Sequence, residues 1–270
     1  MKFLSHVLAF ILATVLAASV STWILSHTLW NAKFLEQQAT QAQLYPKLAT
    51  AIPASAAASD PSVAKSGVTS IDPALIENQV NTLLPPILDH IRKGTPAPTV
   101  NLVDLAAAIG QDPPENGPTT QTIDFGSADT KVTQYGHDVD LVGTYAPWVA
   151  LGLIILIVAV MRHHRWPTLS RAAFDTAIGM ALLAGLFMII PQLVLQALNK
   201  AEMKAVHDAV SPFASQLFNG LAARFGLAAL VFLLAAIGLW CIYGISLIKA
   251  KFAPKSKKPK APTAAPGSAS

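Results

Sequence analysis

Four stretches of the chain run on with neither charge nor polar alternation: Phe3 to Ala32, Leu141 to Met161, Thr176 to Asn199 and Phe225 to Ile248. At about 1.5 Å per helical residue each is long enough to cross a hydrocarbon layer of about 30 Å. Each reads as a transmembrane helix. The first starts after Lys2 and offers small residues in LAASVST, which suits a signal peptide. Its apolar character continues through Trp23, Ile24 and Leu25, past the usual length of such a leader. It is therefore expected to be an uncleaved signal anchor, with cleavage after the small-residue patch as the rival reading.

Between the first and second apolar runs the pattern changes. NAKFLEQQATQAQLYPKLATAIP places Phe34, Leu35, Leu44 and Leu48 among Gln, Glu and Lys at helical spacing. This predicts that the first membrane helix continues outward as a stalk and stops at Pro53. ASAAASDPSVAKSGVTS is small, polar and unpatterned, as a linker is. In SIDPALIENQVNTLLPPILDHIRKG, Asp72 is a natural N-cap and Pro73 a natural first helical residue. Leu75, Ile76, Val80, Leu83, Leu84, Ile87, Leu88 and Ile91 follow at steps of three and four and form one apolar stripe. Pro85 and Pro86 are expected to bend or split this helix, and Gly94 to end it.

TVNLVDLAAAIG predicts a short extended piece and then a turn or two of helix; QDPPENGPTTQ reads as a loop. TIDFGSADTKVTQYGHDVDL has the only strand flavour in the chain. Between the third and fourth runs, Met203, Val206, Val210, Phe213 and Leu217 alternate with polar residues, which predicts helical extensions above the membrane, broken at Pro212. The lysine, proline and alanine of the last stretch have nothing to bury and predict a disordered tail.

The expected fold class is thus an all-α membrane protein: four transmembrane helices and a mainly helical extracytoplasmic domain with room for a small hairpin. The boundaries are 1–27 for the first span, 28–140 for the outer domain, 141–161 for the second span and 162–172 for a cytoplasmic loop. The third span follows at 173–199, an outer helical loop at 200–224, the fourth span at 225–248 and a basic tail at 249–270. No internal repeat appears, so an inverted-repeat transporter is not suggested.

Composition agrees: 53% of the 270 residues are hydrophobic and 13% charged. The net charge of +4 is unevenly placed. Residues 27–146 hold twelve Asp or Glu against six Lys or Arg, whereas the tail holds six lysines and no acid. MRHHRWPTLSR, residues 161–171, adds three arginines between two spans. Basic residues beside apolar runs are the positive-inside signal, so this loop, the tail and both termini are expected in the cytoplasm of a bacterial cell, with the chain in the plasma membrane. Clustered in this way, the charge argues against nucleic acid as a partner. The tail lysines would attract anionic lipid headgroups. The lone Cys241 excludes an internal disulfide.

Candidate chemistry is sparse. His163 and His164 are adjacent, so a helix would point them about 100° apart and deny them a shared metal. His137, Asp138 and Asp140 in GHDVDL are more inviting, since in an extended chain the two carboxylates would share a face; a divalent cation needs more oxygens than they supply. His207 and Asp208 have no nucleophile in a recognisable motif beside them. The apolar runs hold no Asp, Glu, Lys or Arg, and Asp175 lies at their edge, within reach of Arg171. Gln192 and Gln196, one turn apart beside Pro191, suit a structural bond to a neighbouring helix. Ala177, Ala181, Ala184 and Gly185 in the third run, with Ala228, Ala229, Ala235, Ala236 and Gly238 in the fourth, allow close helix approach. Tyr145, Pro147 and Trp148 suit the outer interface. No catalytic, cofactor or metal site is expected.

TLWNAKFLEQQATQAQLYPKLATAIP, IDPALIENQVNTLLPPILDHIRKG and TVNLVDLAAAI resemble a pattern in uncharacterised bacterial membrane proteins, in which a span leads to a helical outer region and then to further spans. The likeness rests on apolar spacing and on Tyr45, Asp72 and Asp104, and it implies an envelope location without an activity. The layout is also similar to FtsX-like and MacB-like permease subunits, in topology alone. The expectation is a non-catalytic envelope protein whose outer domain binds or scaffolds a ligand or an unidentified protein partner. The alternative is a transport or mechanotransmission subunit served by a separate ATPase.

Overall fold

A computed structural model describes residues 2–59, 67–101, 119–123, 129–161, 164–198 and 204–252. Among the described residues there are seven helices and one two-stranded ladder. The helices are α1 (Lys2–Ser26), α2 (Ala32–Gln41), α3 (Leu44–Ser59), α4 (Pro73–Lys93), α5 (Asp129–Val160), α6 (Arg165–Leu198) and α7 (Lys204–Phe252). Strands β1 (Thr99–Asn101) and β2 (Thr120–Thr122) pair antiparallel, with Val100 opposite Gln121. Four helices contain segments long and apolar enough to cross a membrane: Phe3–Ser26, Thr133–Val160, Arg165–Leu193 and Lys204–Ile248. The chain has the make-up of a multi-pass membrane protein.

These helices form a bundle in which α6 and α7 pack along one another and α1 packs on α5 and α6. Leu8, Leu12, Ile157 and Met161 bury one core near the α5–α6 turn. Ile24, Met180, Leu221 and Phe225 bury a second, where Phe187 stacks on Phe225 at 5.1 Å between centroids. Outward the bundle shows large apolar side chains such as Leu182, Leu227 and Trp240, the inverse of a water-soluble surface. Hydroxyl groups join the helices. Ser5 and Thr168 share a hydrogen bond of 2.6 Å, and Ser170 Oγ donates to the Ala236 carbonyl at 2.9 Å. Ala177, Ala184 and Ala236 are buried, as their small size allows.

Helices α2, α3 and α4 make a head at one end of the bundle. Its core is Ala39, Leu44 and Tyr45, packed against Ile76 and Val80 of α4 and Val210 and Phe213 of α7. The extension of the fourth span thus meets the head. It does so within one unbroken helix: α7 runs through Pro212, and α3 packs on it.

Several local expectations are corrected. The stalk does not continue from α1, because the chain turns over residues 27–31. The buried Thr28 hydroxyl donates to the Ile24 carbonyl at 2.6 Å, and the Asn31 side chain accepts from Phe34 N at 3.3 Å, capping a new helix. Pro53 does not stop α3. Proline denies the Ala49 carbonyl its helical donor, but Ile71 N–H donates to that carbonyl at 2.9 Å, so the helix continues with its lost bond replaced. Pro85 and Pro86 lie within a continuous α4, whose ends are as expected: Asp72 accepts from Ala74 N at 2.9 Å, and Gly94 takes the left-handed conformation at φ 64°.

Among the described residues, the strand flavour near residue 122 gives only β2, and from Asp129 the chain is helical into the second span. The turn after that span is shorter than 162–172. Helix α6 begins at Arg165, with Trp166 and Pro167 in its first turn, where a missing N–H costs no helical bond. Helix α7 likewise reaches Phe252, past the expected start of the tail at 249. The remainder of the tail, the helix expected after Leu102 and most of the QDPPENGPTTQ loop lie outside the described residues.

Candidate binding cavity between bundle and head

The last turn of α4 carries Arg92, and its guanidinium meets the carboxylate of Asp140 on α5 at 2.5 Å. Both come from patterns set locally. The apolar stripe of α4 turns its basic end toward α5, and the helical continuation of α5 above its span brings Asp140 to face it. Next to the pair, Gly136 of α5 lies directly against the backbone carbonyl of Ile91. Glycine is required there, since any side chain would collide with main-chain atoms.

Below this junction is a cavity of about 490 Å³, walled by α1, α5 and the end of α4. Ser19, Thr22, Trp23 and Ser26 line it from α1; Gly136, Val139, Asp140, Gly143, Thr144 and Pro147 line it from α5; Arg92 and Trp30 close it. Its chemistry is mixed, with an ion pair, several hydroxyls and two indoles. Most of the hydroxyls are engaged with their own helices, Thr22 with the Ala18 carbonyl at 3.0 Å and Thr144 with the Asp140 carbonyl at 2.9 Å. Two polar groups differ. The indole nitrogen of Trp30 is buried and has no hydrogen-bond partner among the described residues. Pro147 has no N–H to give the carbonyl of Gly143 one turn earlier. Such a site can hold a molecule with both apolar and hydrogen-bonding parts.

The residues singled out by sequence reach this site only in part. Asp140 is in it. Asp138 and His137 are exposed elsewhere on α5, because a helix separates residues two apart by about 200° where an extended strand would align them. The two carboxylates therefore share no face. Among the described residues no group of three His, Cys, Asp or Glu side chains could hold a metal. His163 lies outside the described residues, and His164 is exposed. His207 Nδ1 contacts its neighbour Asp208 at 3.0 Å on α7, away from the cavity. Arg171 reaches Asp175 at 3.8 Å, as expected. Gln192, Gln196 and Cys241 are exposed. Tyr145 and Trp148 are exposed on α5. Of the residues behind the resemblance, Tyr45 is buried in the head, Asp72 caps α4 and Asp104 is outside the described residues.

Arg92, Trp30 and Gly136 escape sequence reading. Arg92 looks like an ordinary charge at a helix end, Trp30 like the tail of an apolar run, and Gly136 like part of a loop. Only the approach of α4 to α5 gives them a common place.

A second ionisable group is shaped by the head. Burial raises the Tyr45 phenol above its ordinary value of 10.0, and the carboxylates of Glu77 and Glu36 add to the effect. Its hydroxyl reaches Asn81 Oδ1 at 3.4 Å.

Bundle and cavity together define the class: a multi-pass α-helical membrane protein with a helical head seated on its spans. Comparison with known protein families, characterised proteins and solved structures finds no match to this chain.

Proposed function

We propose that the chain is a non-catalytic, four-span protein of the bacterial plasma membrane, and that its head, held outside the cytoplasm, binds a ligand or partner at the junction with the spans. One observation carries this reading: the cavity of about 490 Å³ is built from span and head at once, with the buried Trp30 nitrogen and the Arg92–Asp140 pair on its walls. A molecule seated there would touch α1, α4 and α5 together and hold the head in one position. The three arginines of 161–171 and the lysines of the tail support cytoplasmic termini by the positive-inside argument.

The test is photo-cross-linking in native membranes from a reactive residue at Ser26, on the cavity wall. We expect a discrete adduct that disappears on Arg92→Glu and is not formed from Leu182, a lipid-facing position on α6. Adducts from Ser26 that match those from Leu182 would remove the proposal. Reporter fusions test the orientation independently; a reporter at residue 164 that is active only outside the cytoplasm would reverse it.

A second reading has its own support. Helices α5 and α7 pass from span to head without a break, over 32 and 49 residues. Continuous helices transmit displacement, as a mechanotransmission subunit requires. An ATPase recovered with the full-length protein from native membranes, and lost when residues 161–171 are replaced, favours this reading over the first.

A further inference from the structure

We infer that the groove between α1 and α7 is a binding site for one phospholipid of net negative charge, drawn from the leaflet on the head side, with its phosphate on Arg224 and an acyl chain along the helices. This goes beyond the junction cavity: the two share Val20 and Trp23 of α1, but Arg224 and the α7 wall belong to the groove alone, and Arg92 and Asp140 to the cavity alone. The groove has a volume of about 500 Å³, and its walls are apolar: Val20 and Trp23 on α1, Leu227, Val231 and Phe232 on α7. Arg224 closes one end.

The placement of that arginine names the occupant. Arg224 is the last charged residue before the uncharged run from Phe225 to Ile248, so it stands where hydrocarbon gives way to headgroups. Among the described residues it forms no ion pair, unlike Arg92 and Arg171. Its guanidinium lies over the ring of Phe34, 4.7 Å from the centroid, which holds it in place without neutralising it. A fixed, unneutralised guanidinium presents a fork of donors suited to phosphate oxygens.

Dimensions support a lipid rather than a short anion. From Arg224 to Phe232 the helix rises about 12 Å, close to half of a hydrocarbon layer of about 30 Å, so the groove follows one leaflet only. Trp23 flanks the groove and is 61% exposed, in a position to cover the upper part of a chain at the interface. A free phosphate would use Arg224 and leave the groove unfilled.

The test is native mass spectrometry of the full chain, extracted in mild detergent from membranes holding phosphatidylglycerol and phosphatidylethanolamine. One phosphatidylglycerol per chain should be retained in preference to phosphatidylethanolamine. Arg224→Gln should lower that retention about tenfold or more, as loss of a charge-assisted contact does. Val231→Trp should lower it too by filling the groove; Val231 is exposed, so the bundle core is left intact. Arg171→Gln, at the opposite end of the bundle, should leave retention unchanged, and circular dichroism checks that each variant is folded. Equal retention in folded Arg224→Gln and Val231→Trp variants overturns the site, as does equal retention of the two lipids. A lipid-free dimer that Val231→Trp separates assigns the groove to a second copy of the chain and also overturns it.

Discussion

The α-carbon of Gly136 rests on the main-chain carbonyl of Ile91, so closely that a methyl group at residue 136 would overlap both the oxygen and the carbon of that carbonyl. This contact sets how near α5 comes to α4, and with it the position of the head over the spans. Glycine in a helix ordinarily weakens it, by about 1 kcal/mol relative to alanine. At Gly136 the collision outweighs that gain, because a carbonyl cannot rotate away as a side chain can. Gly136→Ala should therefore destabilise the protein by about 1–3 kcal/mol. Gly220 of α7 is the control, since nothing among the described residues lies within 4 Å of a Cβ there. Gly220→Ala should be neutral or mildly stabilising in the same detergent. Thermal unfolding of the two variants decides it, and equal shifts would contradict the close contact.

Arg92 and Asp140 have side chains 27% and 43% exposed, so water screens their attraction. A coupling of about 0.2–1 kcal/mol is expected from a double-mutant cycle of Arg92→Ala and Asp140→Ala, falling as salt is added. A coupling of zero at low salt would show that the pair does not join α4 to α5 in solution.

Tyr45 makes stability depend on alkaline pH. Its folded pKa is raised, chiefly by burial, so the unfolded phenol loses its proton first as pH rises. The unfolded state then binds fewer protons than the folded state, and stability falls with pH. The contribution is whole below the unfolded value of 10.0 and is lost as pH climbs above it through the raised folded value. Denaturant titrations from pH 8 to 11, the range chosen to bracket that value, should show this slope in the wild type and a shallower one in Tyr45→Phe. Identical slopes would mean that Tyr45 is not buried as described.

Gln43 joins α2 to α3 with φ at 53°, in the left-handed region that suits glycine. A side chain there costs about 1–2 kcal/mol, against about 0.5–1 kcal/mol of extra unfolded-state freedom that glycine brings. Gln43→Gly should stabilise the head slightly, and Gln43→Val should destabilise it by more. The order of their melting temperatures checks this; a reversed order would rule out the corner.

Ser170 donates to the Ala236 carbonyl inside the bundle at 2.9 Å. Hydrogen bonds between membrane helices contribute about 0.6 kcal/mol on average and at most about 1.7 kcal/mol, so Ser170→Ala should cost no more than that. Unfolding in mixed micelles measures it, and a loss well beyond this range would point to a role other than joining α6 to α7.

Spans were legible because the hydrocarbon layer imposes one condition, an uncharged helical run of sufficient length, that can be checked residue by residue. The caps of α4 were legible for a similar reason, since Asp72 and Gly94 act on atoms within the next turn. Prolines misled, because the consequence of a missing N–H depends on what else can reach the freed carbonyl. At Pro53 that partner is Ile71, 18 positions away, and no local pattern announces it. GHDVDL misled in the same way: its glycine and short polar residues suggest extended chain, but the contact of Gly136 with Ile91 suits a helix.

Taken alone, the amino-acid order determined the four runs long and apolar enough to cross a membrane and the helical character of most described residues between them. Each of these follows from the transfer of short segments between water and hydrocarbon, a property that adds up along the chain. Tertiary structure decided the rest: that α7 is one helix serving both span and head, that Asp140 faces Arg92 and not Asp138, and that Trp30 closes a cavity. Those outcomes depend on pairs of groups far apart in sequence, whose energies exist only once the helices have packed.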